Sequence, residues 1–249
     1  MRLLFFPRDR VFTLAPLRFE DYRRSTLHPL PCLFFLLPLL MLYEVGIWYL
    51  PPGESLRNGA DAWLRWALQS FGLAQLYWAP ALVACFFLAW SWKRRDDLPD
   101  DLPGVCVGMA IESLALGLGL WVLYRSTAPL KTLLAVPCPE ASAFHVIVTY
   151  IGAGIYEEVL FRLLLYSGLA AFFRIVRLAW PLTLLLAAGV SSLLFAAAHH
   201  AGPFGEPFHD QVFIFRTLAG LYFAAIYQLR GFGITVGAHV CYDVLASVK

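Results

Sequence analysis

With 249 residues, 60% of them hydrophobic and only 14% charged, and a mean hydropathy of +0.67, the chain falls well short of the roughly one-quarter charged composition of a soluble domain. The length suits several apolar spans of about 20 residues joined by short loops, so the expected fold class is all-α: a polytopic transmembrane helix bundle. The net charge of +2, with neither a Gly-rich phosphate loop nor a basic stripe interleaved with aromatics, points to the lipid bilayer and to no nucleic-acid partner.

Met1 to His28 holds six arginines mixed with Asp9, Glu20 and Asp21, too long and too charged for a signal-peptide n-region. It reads as a cytoplasmic arm lying partly on the membrane through Phe5, Phe6, Phe12 and Phe19. The first span is Pro29 to Leu50, with Glu44 beside Tyr43 near its far end; Glu44 reads as an interfacial anchor, or else as part of a polar cavity. Pro51-Pro-Gly53 breaks the helix. Asn58 to Leu68 resumes with Asp61 and Arg65 at i, i+4, amphipathic and tryptophan-rich, as expected of a helix in the interface.

A second span, Leu73 to Trp92, is stopped by Lys93-Arg-Arg95 and the acidic loop Asp96 to Pro103. The third, Gly104 to Tyr124, carries Glu112 and Gly117-Leu-Gly119, small residues that allow close helix approach. A polar connection with three prolines, Arg125 to Ala141, leads to span four, Ser142 to Phe173. That span exceeds a simple crossing, so tilt or a break near Ser167-Gly168 is expected. After the basic turn Arg174 to Arg177 come Ala179 to His200, Gln211 to Leu229 and a final Phe232 to Val248. The expected total is about eight spans when the interfacial helix is counted with the seven crossings, with no internal repeat and no soluble domain.

Positive loops stay cytoplasmic. The arm, Lys93–Arg95, Arg174, Arg177 and Arg230 place twelve Lys and Arg on one side; Arg57, Arg65, Arg125, Lys131 and Lys249 place five on the other. Arg162 and Arg216 are set aside as membrane-embedded or near it. The N-terminus is therefore expected in the cytoplasm and the C-terminus outside. The five cysteines, at 32, 85, 106, 138 and 241, form no Cys-x-x-Cys and read as buried or lipid-facing small residues.

Polar chemistry enters the apolar spans in three places. Ile155-Tyr-Glu-Glu-Val-Leu-Phe-Arg162 puts three ionisable groups into one span, at about 2.5–3.5 kcal/mol each on insertion scales at the bilayer centre. On a helix Glu158 and Arg162 lie one turn apart and pair, while Glu157 points about 100° away toward a different partner. A structural Glu–Arg pair holding two helices in register is the plainer reading of this stretch alone. Ser191 to His200 ends its span with His199 and His200 after small residues. In Gly237-Ala-His239-Val-Cys-Tyr-Asp243, His239 and Asp243 share a helix face at i, i+4. A lone intramembrane His is commonly a helix–helix hydrogen bond; three spans each supplying ionisable groups suggest one site assembled in the bundle.

Glu157-Glu158-x-x-x-Arg162, Phe195-x-x-x-His199 and His239-x-x-x-Asp243, in this order, resemble the three motifs of the CPBP intramembrane glutamic proteases, which include CAAX prenyl endopeptidases and bacteriocin-processing relatives. The resemblance covers roughly Ser142 to Val248. It divides the chain into an N-terminal part, 1–141, with the arm, three spans and the interfacial helix, and a catalytic membrane core, 142–249. It implies an endopeptidase without cofactor or metal, in which Glu157 is the general base and shares an activated water with His199. His239 and residue 243 would hold the oxyanion, and Glu158 with Arg162 would position the helix. The implied location is a bacterial cytoplasmic membrane. The implied substrate is a membrane-anchored or lipidated protein or peptide: a prenylated protein, a bacteriocin precursor or a sorting tail.

Two features depart from that pattern. The CAAX-type enzymes carry Asn where this chain has Asp243. An ionised Asp only accepts hydrogen bonds, so Asp243 either donates to the oxyanion in its protonated form, the favoured reading, or orients His239. The extra His200 reads as a rim residue. Two further readings stand beside the resemblance. Glu157, His199, His239 and Asp243 are admissible zinc ligands, although no His-Glu-x-x-His occurs and Arg162 would repel a cation. A non-catalytic scaffold or transporter with a polar centre would need discontinuous helices at matching places in two halves, and no such symmetry is visible.

Overall fold

The structure, a computed structural model, describes residues 19–50, 59–72, 78–127, 143–202 and 205–247. Phe5, Phe6 and Phe12 of the arm, the side chain of Phe19, the Pro51–Gly53 break, Arg57, most of the 125–141 connection with Lys131 and Cys138, and Lys249 lie outside the described residues.

Among those residues every regular element is helical: α1 (Phe19–Thr26), α2 (Pro29–Tyr49), α3 (Gly59–Ser70), α4 (Trp78–Lys93), α5 (Leu102–Ser126), α6 (Ala143–Glu158), a π-helical segment (Val159–Tyr166), α7 (Ser167–Ile175), α8 (Trp180–Ala198), α9 (Asp210–Arg230) and α10 (Phe232–Ser247), with one 3₁₀ turn at Arg95–Asp97. Four of them, α2, α5, α8 and α9, are long and apolar enough to cross a membrane; Ala79–Lys93 and Phe232–Ser247 are shorter apolar helices. With the continuous α6–π–α7 helix and the amphipathic α3, these make up the bundle of about eight segments that the composition implies. Along α5 the exposed residues Val107, Ile111, Leu114, Leu118 and Val122 are all apolar. They recur at three- and four-residue intervals, a stripe suited to lipid rather than water.

Local chemistry sets the ends. His28 caps α2, its Nδ1 accepting from the Leu30 amide at 3.1 Å, and prolines occupy the first turn, where no intrahelical donor is lost. Asp101 caps α5 through the Gly104 amide at 2.9 Å. Gly231 links α9 to α10 at φ 91°, and a Cβ there would press on the Thr26 carbonyl.

α10 is the centre of the bundle. Phe232 to Val240 are buried without interruption, and the helix packs on α5, α6, α9 and α2. Gly117 of α5 is where the two backbones meet, since a Cβ there would strike Cys241 and the Ala238 carbonyl. One apolar core joins α2, α3, α4, α6 and one face of α10; a second joins α5, α9 and its other face.

Of the tilt or break expected of the motif helix, the break is absent. The helix runs through Ser167-Gly168, from Ala143 to Ile175, widening to π geometry over Val159–Tyr166. The Ser167 amide reaches back five residues to the Arg162 carbonyl, and its hydroxyl donates to the same oxygen at 3.1 Å. A serine able to bond a carbonyl one π turn earlier holds the wide turn closed without interrupting the helix.

Candidate active site

Three helices bring the motif residues together. Glu157 and Glu158 end α6, His199 caps the C-terminus of α8, and His239 and Asp243 lie on α10. Glu158 is fully buried and meets two partners. Its Oε2 lies 3.1 Å from Arg162 Nε, and its Oε1 accepts from His239 Nδ1 at 2.7 Å. The Arg162 contact is ionic rather than a directed hydrogen bond, for Glu158 Oε2 and Arg162 Nε and Nη1 have no hydrogen-bond partner among the described residues. The guanidinium is held in other ways: Nη2 donates to the Gly220 carbonyl at 3.1 Å, and the group lies over the Phe195 and Phe223 rings at 4.6 and 5.6 Å.

Glu157 faces both histidines. Its Oε2 is 3.9 Å from His199 Nε2 and 3.8 Å from His239 Nε2, too far for direct hydrogen bonds. His199 Nδ1 is 2.9 Å from the Phe195 carbonyl. A carbonyl only accepts, so Nδ1 carries the proton and Nε2 is the nitrogen turned to Glu157. The same reasoning puts a proton on His239 Nδ1, because its partner there is the Glu158 carboxylate. Asp243 Oδ2 lies 3.5 Å from His239 Nε2, on the opposite side of the ring from Glu158. The Phe223 ring stacks on His239 at 4.5 Å and 17°, fixing its plane.

The remaining sequence-singled histidine, His200, lies at the edge. Its Nδ1 bonds the Glu206 carbonyl at 2.9 Å and its ring packs on Phe208 and Phe213. Two charged residues there were not singled out from sequence. Arg216 donates through Nη2 to both Glu206 oxygens at 2.8 and 2.9 Å, within electrostatic reach of His199 and Asp243. Partial burial alone would raise the Glu206 carboxyl, but the hydrogen bonds and charge of Arg216 outweigh it and hold the group below the ordinary carboxylate value. The signal for Arg216 was present: a lone Arg in an apolar span one turn before Gly220.

Among the described residues no group of three or more His, Cys, Asp or Glu is arranged to hold a metal ion. Glu44 and Glu112, the other intramembrane carboxylates, belong to separate clusters. Glu44 accepts from Arg65 and Tyr156, and Glu112 accepts from Arg230 Nη2 at 2.8 Å and from the Tyr22 hydroxyl at 2.9 Å. Glu44 thus sits in a polar cluster with Arg65 and Tyr156, separate from the motif cluster.

No curated protein and no solved structure matches the chain. Residues 139–245, which hold every motif residue above, match the family model described as type II CAAX prenyl endopeptidase Rce1-like. Over that C-terminal stretch the chain is similar to the Rce1-like CAAX proteases, in agreement with the CPBP resemblance of its three motifs.

Proposed function

We propose that the protein is a glutamic-type intramembrane endopeptidase, hydrolysing a peptide bond of a membrane-anchored or lipidated protein or peptide with a water activated by Glu157 and His199. The observation that carries this reading is the position of Glu157 Oε2, 3.9 Å from His199 Nε2. With Nδ1–H committed to Phe195, a neutral His199 presents a lone pair at Nε2, as the carboxylate does at Oε2. Two acceptors at this separation are both satisfied by one water donating a proton to each at about 2.8 Å.

Glu157 takes one proton as general base, the hydroxide oxygen bonds to the scissile carbonyl carbon, and the carbonyl π pair moves to its oxygen. Collapse of the tetrahedral species re-forms the carbonyl, breaks the C–N bond and returns the proton to the leaving amine. The products are one new carboxyl and one new amino terminus. His239, with both ring nitrogens protonated, would donate from Nε2 to the oxyanion, an interaction worth about 3–4 kcal/mol when preorganised. Glu158 holds the Nδ1 proton and the tilt of the His239 ring, Arg162 balances the charge of Glu158, and Asp243 adds a second oxyanion donor when protonated.

Comparative proteomics of membrane and secreted fractions tests this reading. Cells carrying Glu157→Ala should accumulate an uncleaved, membrane-attached precursor that wild type processes. Identical fractions in the two strains would count against proteolysis.

A further inference from the structure

Away from the motif cluster, five buried or half-buried polar residues from three helices form a second continuous network. The Tyr43 hydroxyl donates to Asp61 Oδ2 at 2.9 Å, and Arg65 Nε donates to Asp61 Oδ1 at 2.6 Å. Arg65 Nη2 donates to Glu44 Oε1 at 2.8 Å, and the same oxygen accepts from the Tyr156 hydroxyl at 2.9 Å. Tyr43, Asp61 and Tyr156 are completely buried. The amphipathic α3 therefore turns its charged side toward the protein and leaves Trp63 and Trp66 exposed.

The network ends one residue before Glu157. Tyr156, Glu157 and Glu158 project about 100° apart around the helix, and each is committed to a different set of partners. Tyr156 meets Glu44 and Tyr43 of α2, Glu157 meets the two histidines, and Glu158 meets His239 and Arg162. One turn earlier, Gly152 leaves the room that the Tyr43 ring occupies against α6. π geometry begins at Val159, so the regular α-helical ladder that would carry register from α7 back to Glu157 is interrupted. A contact on the N-terminal side of Glu157 is what fixes its rotation about the helix axis there.

We infer that α3 is a clamp on the motif helix, in which Arg65 bridges Asp61 and Glu44, Glu44 holds Tyr156, and Tyr156 is the positioning residue for Glu157. The catalytic consequence rests on the proposed proteolysis; the clamp itself does not. Tyr43, Glu44, Asp61 and Arg65 all lie outside the residues matched by the family model. The clamp thus ties the unmatched N-terminal part to the site. Arg65 suits the bridging role because its planar fork donates in two directions at once, which a lysine ammonium on a flexible stem does not reproduce.

The test uses the full chain in detergent as wild type, Tyr156→Phe, Arg65→Lys and Glu157→Gln. Amide hydrogen exchange is followed across residues 151–158 and across α8–α10, and cleavage of an internally quenched fluorescent casein is measured alongside. Tyr156→Phe should exchange at least fivefold faster over 151–158 with α8–α10 within twofold of wild type, and should lower kcat at least fivefold with KM within twofold. Arg65→Lys, with no direct contact to α6 in the network, should accelerate exchange over 151–158 at least threefold. Exchange within twofold of wild type in both variants, or acceleration spread equally over α8–α10, would overturn the clamp. If Glu157→Gln cleaves like wild type, the proteolytic reading fails while the exchange data still judge the clamp. If wild type leaves the casein uncut, exchange alone decides.

Discussion

Glu158 accepts from His239 Nδ1 at 2.7 Å while Asp243 lies 3.5 Å from Nε2, and this decides what a substitution at 243 can do. The Nδ1 proton and the orientation of His239 are held by Glu158 and not by residue 243, so an amide at 243 leaves them in place. Asp243→Asn should keep activity within about tenfold of wild type, because the amide donates from nearly the same place. A uniform loss of a hundredfold or more, read from initial rates across pH, would contradict that assignment. The three motifs showed which residues belong together, because each carries a spacing within one helix. The Glu158–His239 bond was not legible, since helical periodicity reports neighbours along a helix and says nothing about which atom of the next helix a carboxylate meets. The same blindness hid the Tyr156–Glu44 bond, although Asp61 and Arg65 at i, i+4 were in plain view.

The motif helix shows how one element serves two demands. Glu158 and Arg162 must pair across a turn, and Arg162 must also reach Gly220 on α9. The π segment from Val159 to Tyr166 sits where both are met. Arg162→Ala removes the cation beside a fully buried carboxylate and should destabilise the folded protein by about 3–5 kcal/mol. Thermal unfolding in detergent checks this, and an unchanged Tm would mean that the His239 bond alone balances Glu158. Helix limits were close to legible: prolines and charged turns place the ends of most spans within a few residues of the observed ones. The π widening was not, because a 3.6-residue period is assumed whenever a side chain is assigned to a face, and only the Ser167 side chain, bonding five residues back, marks the exception.

At the scale of the whole molecule, composition alone fixed the class, since a chain with 14% charged residues and apolar stripes facing outward has nowhere to place them but lipid. The packing of the N-terminal helices onto α10 was less legible, because apolar faces are interchangeable until small residues such as Gly117 choose a partner. Orientation follows from Lys and Arg: reporter fusions after Arg24 and Arg95 should read cytoplasmic, and one after Lys131 should read outside. A cytoplasmic signal at Lys131 would change the number of early crossings. The central claim, a glutamate that activates water, is met most directly by purified enzyme acting on the precursor that accumulates with Glu157→Ala. Wild type should cleave it with EDTA and 1,10-phenanthroline present, and Glu157→Gln, folded and extracted as wild type is, should show no turnover above the uncatalysed background. Turnover by Glu157→Gln at the wild-type rate would contradict the glutamate base, and loss of wild-type activity to chelators would move the chemistry to a metal.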